Sequence, residues 1–307
     1  MQLNGFHHLT AITADAPRNH NFYTQVLGLR MVKKTVNQDD TSAYHLFYAD
    51  GLGSAGTDIT FFDWPAAREK RGTNSVVRTG LRIKGEKAVA YWVDRFKSLE
   101  VKAKKPAEEN GRQIIEFEDF EGQRLALVID ESETAANIWA KSPVPAAHQI
   151  RGLGPITLSV ADNQYTDLIL TEAMGMKRKT PFGDTQVYKM RGQGAVAELH
   201  VKVEPGLPPA HQGAGAVHHV AFNIALGDYD AWASRLTQMR IANSGKVDRF
   251  WFKSLYFREP SGILFEIATD GPGFQADEPM DKLGETLSLP PFLESKRASI
   301  EAGLKKL

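Results

Sequence analysis

The 307-residue chain contains no cysteine, which removes disulfides, thiolate metal ligands and a cysteine nucleophile together. Any metal it holds must therefore bind through imidazole and carboxylate. It also lacks an excess of either charge, with 37 lysines plus arginines against 37 aspartates plus glutamates. No basic field is available to hold nucleic acid or an anionic membrane surface, so the expected partner is a small molecule. No apolar run approaches the ~20 residues that span a bilayer. The opening residues, MQLNGFHHLT, lack the basic flank and apolar core of a secretion signal. The expected location is the cytoplasm, with no membrane partner.

What is present is repetition. Shifting the sequence by 147 residues lays LTAITAD (9–15) on ITLSVAD (156–162) and LGL around Gly28 on MGM around Gly175, the mark of a duplication. Each half divides again into two units of strand, helix and three strands. In the first unit a strand at 6–13 leads to a helix at 17–27, stopped by Gly28, and to strands at 29–35, 43–49 and 57–63. The second opens at 75–83 with a helix near 87–99, the third carries a helix at 164–174, and the fourth has one at 227–240. The Pro-rich stretch 141–152 reads as the linker. The expected organisation is an N-terminal half over 1–145, a C-terminal half over 151–275 and a tail with a helix over 276–307.

Two strand-like segments each contain adjacent histidines, in NGFHHLTAIT and GAVHHVAFNI. Side chains alternate across a strand, so only one histidine of each pair should face a given pocket. Parity sets His218 with Val220, Phe222 and Ile224 on the core face and leaves His219 on the open one; in the first unit it sets His8 and Thr10 together, opposite His7, Leu9 and Ala11. In the closing strand Glu266 lies opposite the apolar residues Ile263, Phe265 and Ile267. A carboxylate in so apolar a strand demands a partner. Two imidazoles and one carboxylate form the facial triad that holds non-haem Fe(II) with positions left open. His8, His219 and Glu266 have those types and that parity. The competing reading is of strand-end histidines satisfied by backbone and a salt-bridged glutamate. Across the hairpin with PSG at its tip, Tyr256 falls nearly opposite Glu266, either as a proton donor beside a bound oxygen species or as a filler of the cup.

The chain resembles the vicinal oxygen chelate (glyoxalase/bleomycin resistance/extradiol dioxygenase) superfamily. Within it, FHHLT, YHLFYAD, GTDITFFDWP, AVHHVAFNI and LFEIATDGPGF look like the ring-cleaving hydroquinone dioxygenase branch. The likeness extends to the tail, LSLPPFLESKRASIEAGL. It implies an α+β fold of four βαβββ modules in two cup-shaped half-barrels, with Fe(II) (or Mn(II)) on His8, His219 and Glu266. It also implies supporting catalytic roles for His7, His218, Tyr256 and Arg249, although parity turns His7 and His218 toward the core. The implied substrates are a dihydroxylated aromatic such as hydroquinone and O2; a homodimer is the expected assembly.

Catechol-cleaving relatives take ligands from the third and fourth units, but Pro155 stands here where His8 stands in the first copy. The first unit must then pack against the fourth, and the second against the third. Phe61, Phe62 and Trp251 are candidates for an aromatic-binding wall, and His45 for its lining. His200 reads as structural, and no chemistry is assigned to His20, His148 or His211. Two other functions fit the fold: a glyoxalase-type metal-dependent lyase or isomerase, which would want a second carboxylate that the first unit lacks, and a non-catalytic binding or resistance protein.

Overall fold

The computed structural model describes residues 1–132 and 137–307, in which four modules of one plan follow each other. The first contains β1 (Gly5–Thr13), α1 (Ala16–Asn21), β2 (Arg30–Val36), β3 (Tyr44–Ala49) and β4 (Asp58–Asp63). The second contains β5 (Ser75–Ile83), α2 (Glu86–Ser98), β6 (Ala107–Glu109), β7 (Arg112–Glu118) and β8 (Arg124–Ile129). In the third are β9 (Leu153–Val160), α3 (Gln164–Leu168), β10 (Lys177–Phe182), β11 (Thr185–Lys189) and β12 (Glu198–Val203). The fourth has β13 (Val217–Ile224), α4 (Tyr229–Gln238), β14 (Val247–Asp248), β15 (Lys253–Arg258) and β16 (Leu264–Thr269), and the chain ends beyond α5 (Arg297–Gly303). In each module the first strand runs parallel to the last, which pairs antiparallel with the third. The first module joins the fourth through antiparallel β1–β13, and the second joins the third through β5–β9. The result is two curled eight-stranded sheets in an α+β fold, paired as Pro155 required. No helix among the described residues is long and apolar enough to cross a membrane.

The helices cover the convex faces because their apolar residues recur at helical spacing. In α2, Ala88, Val89, Trp92 and Phe96 are buried; in α4, Tyr229, Trp232 and Leu236. With Phe6, Leu9, Phe61, Phe222, Phe265 and Ile267 they belong to one cluster spanning both sheets. A separate cluster, including Val32, Phe47, Trp251, Phe252 and Phe274, lies with the first and fourth modules.

Two helices are shorter than their periodicity suggests. α1 passes into a π-helical turn over Phe22–Val26, and α3 into one over Ile169–Ala173, offset by the same 147 residues as the sequence repeat. Each is followed by a glycine in left-handed backbone, Gly28 at φ 74° and Gly175 at φ 69°. The stretch read as a linker is docked: Ser142 Oγ donates to the Gly28 carbonyl at 2.7 Å, and Trp92 Nε1 donates to that of His148 at 2.9 Å.

The C-terminal segment is fastened by Lys33, a lysine with no exposed surface. Its Nζ donates to Asp277 Oδ1 at 2.8 Å, to Glu278 and to the Phe274 carbonyl, and lies 4.9 Å from the centre of the Trp251 ring. Farther along, Leu287 bridges Lys34 on the edge of β2, and Tyr44 donates to the Lys305 carbonyl.

Two stability outcomes follow. A methyl at Gly28 would lie 2.5 Å from Val144 and 2.6 Å from Ser142, whereas nothing stands within 4 Å at Gly175. Gly175→Ala should cost about 1 kcal/mol, the left-handed penalty alone, and Gly28→Ala distinctly more, as urea unfolding of the pair will read. Lys33→Met leaves the buried Glu278 without its cation and should destabilise by about 3 kcal/mol or more, measured in the same way.

Candidate metal centre

The centre is built where β1 meets β13, and the register there is broken twice. Phe6 opposes Phe222 and His8 opposes Ala221, so His7 is an extra residue on β1; Thr10 opposes His219 and Ala11 opposes Val217, so His218 is an extra residue on β13. At such bulges strict alternation is lost. The parity argument that turned His7 and His218 toward the core is therefore corrected. Each lies beside the second histidine of its pair, with Nδ1 to Nδ1 distances of 2.8 Å for His7 and His8 and 2.8 Å for His218 and His219.

These contacts fix protons. His7 Nε2 lies 3.0 Å from the Thr269 carbonyl, which can only accept, so His7 carries its proton there. Burial, and then the neighbouring His8, lower the His7 imidazole to about 3, so it is neutral and its Nδ1 accepts from His8 Nδ1–H. An imidazole whose single proton sits on Nδ1 presents a lone pair at Nε2; in that tautomer His8 turns its lone pair toward Glu266. Burial, followed by His219, likewise lowers His218 to about 3. With His218 Nδ1 as acceptor, His219 turns its own Nε2 lone pair inward.

His8 Nε2, His219 Nε2 and Glu266 Oε2 converge, separated by 3.2, 3.2 and 3.0 Å. All three side chains are buried, and Glu266 Oε2 accepts no hydrogen bond among the described residues. Its other oxygen accepts from Ser254 Oγ. A hydroxyl, Thr10 Oγ1, lies 2.9 Å from His219 Nε2. With both imidazoles neutral, three electron-pair donors at such separations repel one another unless a cation sits among them, whereas a proton on one Nε2 makes an ion pair with Glu266. The spacing suits neighbouring ligands around a divalent ion at about 2.1 Å, so the residues fit a metal. Among the described residues no other group of three possible ligands converges in this way.

Above the triad opens a cavity of about 560 Å³. Phe47, Phe62, Trp64, Trp251 and Phe252 give it aromatic walls, and His45, His218, Arg249 and Tyr256 supply polar groups. Tyr256 stands directly opposite Glu266 in the β15–β16 ladder, its ring 5.9 Å from that of His219. Burial, then the Glu266 charge, push its phenol well above the ordinary range. Arg249 approaches the Tyr256 hydroxyl at 3.4 Å and clamps Asp39 from the β2–β3 loop at 2.7 and 3.1 Å, linking the two modules at the mouth.

Of the three wall candidates, Phe62 and Trp251 line the cavity, while Phe61 packs in the convex core, 4.5 Å from Tyr23. Trp64 was missed although it is two residues from Phe62 and shares its parity. Phe252 and Asp39 carry no periodic signal, since their positions depend on turns. His200 is buried in the other sheet, 3.6 Å from Glu198, and His148 stacks on Tyr91.

Comparison with known proteins agrees with this architecture. A model of the Glyoxalase/Bleomycin resistance protein/Dioxygenase superfamily matches residues 5–127 and 141–267. A Bacillus subtilis protein named as a ring-cleaving dioxygenase, MhqA, is 45% identical with all of both chains covered. The chlorohydroquinone/hydroquinone 1,2-dioxygenase of Sphingobium indicum is 28% identical over 95% of this chain and 93% of its own. A crystal structure described as a dioxygenase from Bacillus subtilis, 36% identical, superposes with a TM-score of 0.94 over 100% of this chain and 98% of the other. With repeat, fold and matches in accord, the chain belongs to the glyoxalase/bleomycin resistance protein/dioxygenase superfamily.

Proposed function

We propose that the protein is an Fe(II)-dependent, extradiol-type ring-cleaving dioxygenase acting on hydroquinone or a related dihydroxylated aromatic, with His8, His219 and Glu266 as metal ligands. The observation that carries this reading is the convergence of two imidazole lone pairs and one carboxylate on the floor of an aromatic-walled cavity. The same donors accept Mn(II). The names of the MhqA and Sphingobium relatives support an oxygenase of aromatic rings.

Held there, the ion supplies Lewis acidity toward a ring hydroxyl and a path for electrons from the ring to dioxygen. The chain's own residues do the rest. Phe62, Trp64, Trp251 and Phe252 hold the ring by its faces and edges. Tyr256 stays protonated at neutral pH and can donate to an oxygen on the open face, with the Arg249 guanidinium beside its own oxygen. His218, accepting at Nδ1, carries its proton on Nε2 at the cavity wall, where it can exchange one with a ring oxygen. His7 keeps His8 in the ligating tautomer.

A glyoxalase-type lyase would want a second carboxylate from the closing strand of the first module. In β4, Thr60 faces Thr10 as Glu266 faces Ala221, so a threonine stands in that place. A passive binding protein has no use for a three-ligand face.

Anaerobically purified protein should contain about one iron per chain and consume oxygen on addition of hydroquinone or methylhydroquinone, with both lost in His219→Ala and Glu266→Ala. Zinc or nickel without oxygen uptake would move the lyase to first place; no metal would favour the binding protein. The supporting residues should separate by assay. His7→Ala should weaken iron retention by about 10- to 100-fold in chelator competition, while Tyr256→Phe should keep the iron and slow oxygen uptake by about 100-fold or more.

A further inference from the structure

Because β1 and β13 are antiparallel neighbours at the centre of one sheet, the first and fourth modules face each other across a local pseudo-twofold axis. Each cup residue has a counterpart across it. Glu266 is opposite Tyr256 on the hairpin, and Ser254, two residues before Tyr256, donates to Glu266. On the other side Thr60 is opposite Phe47, and His45, two residues before Phe47, lies with Nε2 2.9 Å from Thr60 Oγ1. The Ser254–Glu266 pair on one side thus becomes a His45–Thr60 pair on the other.

That pair continues inward. Thr60 Oγ1 is 2.8 Å from Thr10 Oγ1, which is 2.9 Å from His219 Nε2. Both threonines have no exposed surface. The His45 ring is packed against Phe47 and Phe62 with centroids 4.0 and 4.4 Å away, and it reaches the cavity. The chain His45–Thr60–Thr10 therefore runs from the aromatic wall to the edge of the triad. Once the His219 Nε2 lone pair is committed to a metal, the Thr10 hydroxyl cannot donate to it. Its hydrogen is then free for an acceptor bound beside His219, whose Nε2 is 2.9 Å from the hydroxyl.

We propose that Thr60, held by His45, is a positioning residue for the substrate: the chain His45–Thr60–Thr10 donates a hydrogen bond to the phenolate oxygen of the ring bound beside His219. The inference rests on the triad reading above and concerns ligand placement, not metal retention. His45 donates from Nε2, Thr60 passes its own hydrogen to Thr10, and Thr10 turns toward the ring oxygen. Removing the middle hydroxyl leaves Thr10 without the donor that orients it.

The test uses iron-loaded protein under argon, with chelator competition for iron and titration with hydroquinone for binding. Thr60→Val should keep its iron affinity within about threefold of the parent and bind hydroquinone about tenfold more weakly, as loss of a hydrogen bond to a charged oxygen implies. Thr60→Ser should restore that binding. His45→Phe cuts the same chain at its outer link and carries the same expectation should Thr60→Val not fold. Parent-like hydroquinone binding in a folded variant, or equal loss in Thr60→Val and Thr60→Ser, would overturn the proposal while leaving the triad standing. Failure of the parent protein to take up iron would overturn both.

Discussion

The antiparallel pairing of β1 with β13 is the constraint on which the centre depends. Neither module holds the three converging donors alone: the first supplies His8, the fourth supplies His219 and Glu266, and their donor atoms meet only because the two strands share one ladder. The two bulges in that ladder matter as much as the pairing. By adding one residue to each strand they bring consecutive histidines to the same side, so His8 and His219 each receive a hydrogen-bonding partner from the adjacent position. A regular ladder would send His7 and His218 into the convex core, where a polar ring would need other partners. Ligand tautomer, which a metal site must fix, is thus set by local backbone geometry.

The other sheet shows that the bulges belong to the fold and not to the histidines. Thr157, which the repeat places on Thr10, opposes Arg78 on β5 and His200 on β12, as Thr10 opposes His219 and Thr60. The register breaks recur there, around Val77 and within 153–156. The positions equivalent to His8, His219 and Glu266 are Pro155, Arg78 and Ala126. That cup is occupied by ion pairs, Arg78 with Glu109 and Glu116, and Arg112 with Glu198. An arginine cannot ligate, and this one already holds two carboxylates, so one geometry gives one cup with converging donors and one without.

Much of this was legible in the sequence. The module plan followed from the 147-residue offset, and the pairing of first with fourth from Pro155, a residue that cannot ligate. Parity brought His8, His219 and Glu266 to one face because β16 alternates without interruption and both bulges precede the ligands they serve. It failed for His7 and His218 because a bulge is a property of two strands in register, and one strand's pattern does not contain the other. The wall candidates Phe61, Phe62 and Trp251 rest on position, and alternation along β4 admits Phe62 and not Phe61. The burial of Lys33 comes from a segment more than 240 residues away, which the local pattern RMVKKTV does not contain. The π-helical turns after α1 and α3 left no compositional trace, although they recur at the repeat spacing.

The threonine that takes the glutamate's place across the pseudo-twofold axis also bears on a charge balance. In a buried site of low effective dielectric, an uncompensated charge is costly. Under the proposed reading a divalent ion meets one protein carboxylate, which leaves one positive charge for an anionic ring oxygen to neutralise. A second carboxylate at position 60 would neutralise the ion before substrate arrived and would repel a phenolate. A hydroxyl there adds no charge and keeps a hydrogen to donate. The Arg249 guanidinium does not upset this balance, because Asp39 holds it through two hydrogen bonds at the mouth. The site is thereby suited to a ligand that arrives with, or acquires, a single negative charge. That restriction comes from two equivalent strand positions, Glu266 and Thr60, filled differently in the fourth and first modules.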